Sequence, residues 1–191
     1  RTHHGQEGAG RCGSRMISER KTGLKVILWV LLVLNMAAIF LMSARTADES
    51  TVQSDVFAEV PMAAYDSAHP EDAGNEDVFW LFQKIVRKIA HFLEFAELAV
   101  WAVGLAVIYD LKLPYLTGAA FSAVYATTDE LHQLFVPGRE GKVTDWLIDT
   151  AGAITAAVIL RAIIIVSRKR RNNCKPDDSR AIISPEQKKP E

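Results

Sequence analysis

Leu24 to Met42 is an apolar run of 19 positions in which Lys25, next to its start, is the one charged side chain. At about 1.5 Å per residue, a helix of that length reaches roughly the 30 Å of a hydrocarbon core, which soluble helices rarely need. Three more apolar stretches follow, Ile89 to Tyr109, Leu113 to Phe135 and Asp145 to Val166. The chain averages, 49% hydrophobic and 24% charged, look like those of a soluble domain and conceal this segregation. The pattern predicts an all-α polytopic membrane protein, with four transmembrane helices in a small bundle plus an interfacial amphipathic helix and the lipid bilayer as its first partner.

Composition excludes several other classes. A net charge of -1 points to no polyanionic partner, and the Arg168 to Arg171 cluster suits a topogenic patch facing lipid headgroups better than nucleic acid. The two cysteines, Cys12 and Cys174, lie in polar tails and support neither a disulfide framework nor a Cys-based metal site. Neither a P-loop, a GxSxG elbow nor a CxxC pair occurs. The aperiodic opening before Met16, with its His3–His4 pair, is expected to be non-native or upstream sequence without a metal role.

In order, the chain divides into a disordered cytoplasmic tail (1–23), a first span (24–43), an acidic extracytoplasmic loop (44–77), an interfacial helix (78–88), a three-helix core (89–166) and a basic disordered tail (167–191). The first span exceeds a signal-peptide core, and Ser43-Ala44-Arg45 is a poor cleavage site, so a retained helix is expected. Arg20, Lys21 and Lys25 before it, and Arg168 to Arg171 after the last span, assign both termini to the cytoplasmic side of a multi-pass cell-membrane protein. From Thr46 to Asp77 the loop contains Pro61 and Pro70, nine acidic residues and neither Lys nor Arg. From Val78 to Ile89 apolar residues recur at helical spacing, with Gln83, Lys84, Arg87 and Lys88 on the other face.

The core spans are too short unless they absorb charge. Leu98 to Tyr109 supplies about 18 Å of helix, so the second span must include His91 to Glu97, and the third brings Asp129, Glu130, His132 and Gln133 to the membrane edge. Alternating topology places these residues at one level with Asp145 and Asp149 at the start of the fourth helix, where Thr144 is the expected N-cap. Arg161 is expected to snorkel to the inner surface, and the small residues of helix four permit a homodimer. Inserting Asp, Lys or Arg at the centre of a span costs roughly 2.5–3.5 kcal/mol, so such a concentration points to function. The competing explanation is an interface network in which Arg87, Lys88 and Arg139 neutralise the carboxylates.

The runs KIAHFLEFAELA and YATTDELHQLFVPGREGKVTDWLIDTAGA resemble the VanZ-like membrane protein family. Its pattern joins a Lys-x-x-His-x-x-Glu-Tyr block, an Asp-Glu-x-x-Gln block, a Pro-Gly-Arg turn and an Asp-x-x-x-Asn-x-x-Gly helix. The similarity covers Ile27 to about Val166. Phe95 stands where Tyr is frequent and Asp149 where Asn is frequent, so the first lacks a phenol and the second adds an acid. The resemblance implies a cell-envelope role connected with teicoplanin resistance.

Two functions follow. In the first, the site binds an amphiphilic drug or a lipid-linked envelope precursor, with Lys88, Gln133, Arg139, Asp145 and Asp149 as ligand-binding residues and apolar helix walls holding an acyl chain. In the second, a membrane-embedded enzyme acts on a lipid or wall intermediate, with His91 or His132 as acid/base and Glu94, Asp129 or Glu130 as partner carboxylates. A transporter is disfavoured by the narrow four-helix bundle. Cofactor and metal are expected to be absent. His91-x-x-Glu94 and Asp129-x-x-His132 do repeat a carboxylate–histidine spacing found in bundle metal sites, but Lys88 and Arg139 lie close by.

Overall fold

The computed structural model describes residues 6–139 and 141–173. They form five α-helices: α1 (Gln6–Ser43), α2 (Ala47–Ala68), α3 (Glu76–Ile108), α4 (Pro114–Gln133) and α5 (Val143–Asn173), with a short 3-10 turn at Pro70–Asp72. Three stretches are long and apolar enough to cross a membrane, Lys21–Ser43, Glu76–Ile108 and Val143–Arg171. At 20 residues α4 is also about 30 Å long, but Thr117, Ser122, Thr127, Thr128 and Asp129 make it more polar. The all-helical class holds, and a membrane protein follows from the three apolar helices.

Two expected elements differ. No separate interfacial helix breaks at residue 88, because α3 runs unbroken for 33 residues, roughly 50 Å. Nothing between Val78 and His91 interrupts helical hydrogen bonding, so the amphipathic stretch becomes its first turns. The acidic segment is likewise a helix rather than a loop over Ala47–Ala68, with Pro61 inside it. Its Ala- and Glu-containing sequence favours helix, and packing on α3 buries Ser54, Ala58 and Met62. Asp55 accepts a hydrogen bond from Gln83, and Tyr65 meets Phe82 edge-on at 6.2 Å. The tails differ too, since α1 starts at Gln6 and α5 continues to Asn173. His3, His4, Cys174 and the rest of the basic tail lie outside the described residues.

Local chemistry marks the helix ends. The Asn75 side chain accepts from the backbone N–H of Asp77 and Val78, at 2.9 and 3.3 Å, and caps α3. Pro114 opens α4, where its missing N–H has no helical partner to lose. Helix α5 begins one residue before the expected cap. The Lys142 carbonyl accepts from Asp145 and Trp146, and Thr144 is already inside the helix with its hydroxyl 3.4 Å from Asp145.

Helix α3 is the axis of the bundle, touching α1, α2, α4 and α5. Leu32 and Ile39 from α1, Phe95, Leu98, Ala102 and Leu105 from α3 and Ala126 from α4 form the main core, and Ala99 packs with Ala153 and Ala156 of α5. Two glycines set the separations. A Cβ at Gly118 would meet the backbone nitrogen of Val103 at 2.7 Å, and one at Gly152 would run into the carbonyl of Phe92. Small residues at such crossings let helices approach closely where lipid supplies no hydrophobic drive. Outward faces remain apolar, with Val33 and Leu34 of α1 and Val158, Ile159 and Ile163 of α5 all exposed, as suits contact with lipid tails.

Helix polarity follows from two contacts far apart in space. Trp29 near the start of α1 donates to the Tyr109 hydroxyl at the end of α3, 3.2 Å. Ser43 at the end of α1 reaches Asp129 near the end of α4, 2.9 Å. The end of α1, the early half of α3, the end of α4 and the start of α5 therefore share one level.

Candidate functional site

At that level α4 presents a buried carboxylate. Asp129 is 3% exposed, and its Oδ2 accepts from the Ser43 hydroxyl and the Gln133 amide, each at 2.9 Å. The i, i+4 spacing puts Asp129 and Gln133 on one face, and α1 supplies Ser43 from across the interface. Ser43 is a site residue that sequence reasoning missed. A hydroxyl closing a 19-residue apolar run, at the depth of Asp129, was the available sign.

From α5, Asp149 points into the same region, 1% exposed, with Oδ1 lacking a hydrogen-bond partner. Gly152, one turn further along, permits the close α3–α5 approach behind this placement. From α3 comes His91, half-buried, with a buried Nδ1 that makes no hydrogen bond and lies 3.7 Å from Glu94 Oε2. One donor atom from each of His91, Asp129 and Asp149 lies within 4.8 Å of the others. Three helices thus bring an imidazole and two carboxylates to one point.

Above this trio opens a cavity of about 140 Å³, with His91, Gln133, Ile148 and Asp149 in its walls and Arg87, Lys88, Arg139, Lys142, Glu130 and Asp145 around them. Lys88 pairs with Asp145 at 3.4 Å across α3 and α5, an exposed contact of small energetic weight. Arg139 reaches the cavity because the 136–139 turn is tight. The Arg139 N–H bonds the Val136 carbonyl at 3.1 Å, Pro137 takes the first corner, and Gly138 takes the second at φ 74°. Burial pulls the Arg139 guanidinium below the ordinary arginine value, as does Arg87, while Asp129, Glu130 and Glu94 favour its charge.

The other predicted residues separate. Glu130 lies apart from the trio, at the rim shared by the cavity and the groove beside Leu131, Leu134 and Trp146, where Oε2 accepts from the Lys142 N–H at 2.8 Å. His132 leaves the cavity and stacks on Phe40 of α1 at 4.5 Å, so helical spacing to Asp129 did not make it a partner. Glu94 lines a smaller cavity of about 80 Å³ between α1, α2 and α3, which His91, Arg87 and Arg139 also border. Glu97 faces outward and accepts from Trp101 at 3.2 Å. Phe95 is wholly buried, 6.3 Å from Tyr125, in a core position that suits a ring without a hydroxyl.

A sequence model described as VanZ/LLP1 matches residues 28–166. The chain belongs to the VanZ/LLP1 family. The match runs from within α1 into α5, so every residue of the VanZ-like site falls within it, including Ser43 and the trio. Neither a curated protein nor a solved structure matches the chain significantly.

Proposed function

We propose that this VanZ-like protein binds the polar headgroup of an amphiphile at the outer face of the cell membrane, in cell-envelope physiology or resistance to teicoplanin-type glycopeptides. The supporting observation is a shared wall. Beside the polar cavity lies an apolar groove of about 350 Å³ lined by Thr127, Leu131, Leu134, Gly141, Val143 and Trp146, and Glu130 and Lys142 border both spaces. A molecule with a charged head and an acyl chain fits that juxtaposition, with the head among Arg87, Lys88 and Arg139 and the chain in the groove. The substrate class is a lipid-linked envelope precursor or a lipoglycopeptide drug.

The orientation belongs to this proposal. With α1, α3, α4 and α5 all crossing, Arg20, Lys21 and Lys25 lie at the same end as Arg168 to Arg171. The positive-inside rule then makes both termini cytoplasmic and the cavity extracytoplasmic. The polar α4 is tolerated as the fourth span because Ser122 donates to the Phe95 carbonyl at 3.0 Å and Tyr125 to the Met36 carbonyl at 2.7 Å.

Arg139→Ala and Leu134→Glu, matched for membrane abundance, test the two halves. Each should shift glycopeptide or lipopeptide sensitivity several-fold, and unchanged sensitivity in well-expressed variants would sink the proposal. A second function, acid/base catalysis on a lipid intermediate, is favoured by the unpartnered His91 Nδ1 beside Glu94. It requires that His91→Gln abolish turnover while leaving amphiphile binding intact.

A further inference from the structure

We infer that His91, Asp129 and Asp149 form a binding site for one divalent first-row transition cation of the manganese or zinc class. The three side chains come from α3, α4 and α5, and their donor atoms converge within 4.8 Å. Bonds of about 2.0–2.2 Å from nitrogen and carboxylate oxygen place neighbouring donors roughly 3–4 Å apart, so small side-chain rotations close the shell. One imidazole with two carboxylates suits manganese or zinc better than calcium or magnesium, which prefer oxygen alone.

Convergence of acids alone would not identify a ligand. The independent observation is Asp149, 1% exposed, whose Oδ1 has no hydrogen-bond partner and whose carboxylate brings an oxygen within 4.8 Å of the donor atoms of the other two side chains. A buried carboxylate oxygen without a donor is unfavourable by itself, and a cation supplies what is missing. His91 Nδ1, also buried without a hydrogen bond, repeats the deficit on the facing helix. Asp129 is arranged differently. Its Oδ2 accepts from Ser43 and Gln133, which fixes the carboxylate, the support from behind that metal-binding carboxylates receive.

Of the nearby cations, Lys88 pairs with Asp145, and Arg139 borders both cavities, where Asp129, then Glu130 and Glu94, favour its charge. Among the described residues three protein donors converge, and His91 and Asp149 line the 140 Å³ cavity, so remaining coordination positions face it. There the cation receives an anionic oxygen of the headgroup. That last link rests on the amphiphile proposal, whereas the cation site does not.

The full chain, purified in detergent with His3→Ala and His4→Ala to remove the tail pair, is dialysed against Mn2+ and separately Zn2+ and the bound metal counted. One cation per chain is expected, with nitrogen coupling in the electron spin-echo spectrum of bound Mn2+. Asp149→Asn and His91→Ala should each weaken binding at least ten-fold, and His91→Ala should remove the nitrogen coupling. Ser43→Ala should weaken it less, and Glu97→Gln, on the outward face of α3, not at all. Absence of stoichiometric binding by the unsubstituted site overturns the inference, whatever happens to the variants. So does binding that survives both Asp149→Asn and His91→Ala. Amphiphile binding measured in metal-free protein is a separate result, so each proposal can fail alone.

Discussion

The two ends of the bundle are built on opposite principles. At one end α1 meets α3 through Lys25 above the Tyr109 ring, 4.5 Å from its centroid, and through the Trp29–Tyr109 hydrogen bond, while Gly118 rests on Val103. That end is a closed joint of rings and small residues. At the other end, Gly152 on Phe92 gives an equally close approach, but the surrounding side chains are His91, Asp129, Gln133 and Asp149 around an open cavity. Close packing needs small residues and not charge, as the Gly118–Val103 crossing demonstrates. Ionisable groups at the second end therefore call for an explanation beyond assembly.

The comparison breaks most readily at its glycines. Gly118→Ala and Gly152→Ala should each lower stability by about 1–3 kcal/mol or more, because the added Cβ meets backbone that cannot swing aside. Thermal unfolding in detergent measures both, and tolerance at Gly152 alone would mean that the polar end is not closely packed. Next in size, Asp129→Ala should cost about 1.5–3 kcal/mol, since it removes a charged acceptor shared by Ser43 and Gln133. Tyr109→Phe at the other end should cost only ~0.5–1.5 kcal/mol. Equal losses would erase the distinction.

Gly138→Ala should follow at about 1–2 kcal/mol, because its φ of 74° disfavours a Cβ. It should also displace Arg139 and reduce headgroup binding with little change at the Tyr109 end.

The smallest effect lies outside both ends. Asn75 and Tyr65 donate to Asp72, at 2.8 and 2.7 Å, and hold its carboxyl below the ordinary aspartate value, the Asn75 bond contributing most. A depressed folded value means that this contribution is present above the unfolded pKa and lost as pH falls through the folded one, below about pH 4. Hydrogen exchange in the 69–78 connection should rise there in the parent protein and be insensitive to pH in Asp72→Asn.

Much of the site was legible because helical spacing is local. Asp129 with Gln133, and the Pro137-Gly138 turn that delivers Arg139, can be read from three or four consecutive positions. His132 could not, since whether a side chain faces α1 or α5 depends on the rotation of the whole helix, and here Phe40 takes it. The acidic helix α2 was hidden for a related reason. Pro61 and the acidic composition indicate a loop, whereas the face bearing Ala58 and Met62 is stabilised by packing against α3.

By itself the sequence determined the membrane class, the antiparallel order of helices and the level at which the polar residues gather, because run length and charge placement are properties of single segments. Only the tertiary structure decided that His91, Asp129 and Asp149 meet, that Ser43 joins them and that Glu130 turns toward the apolar groove. Those outcomes depend on crossings set where Gly118 and Gly152 touch α3, and such contacts between distant positions leave no periodic trace in the chain.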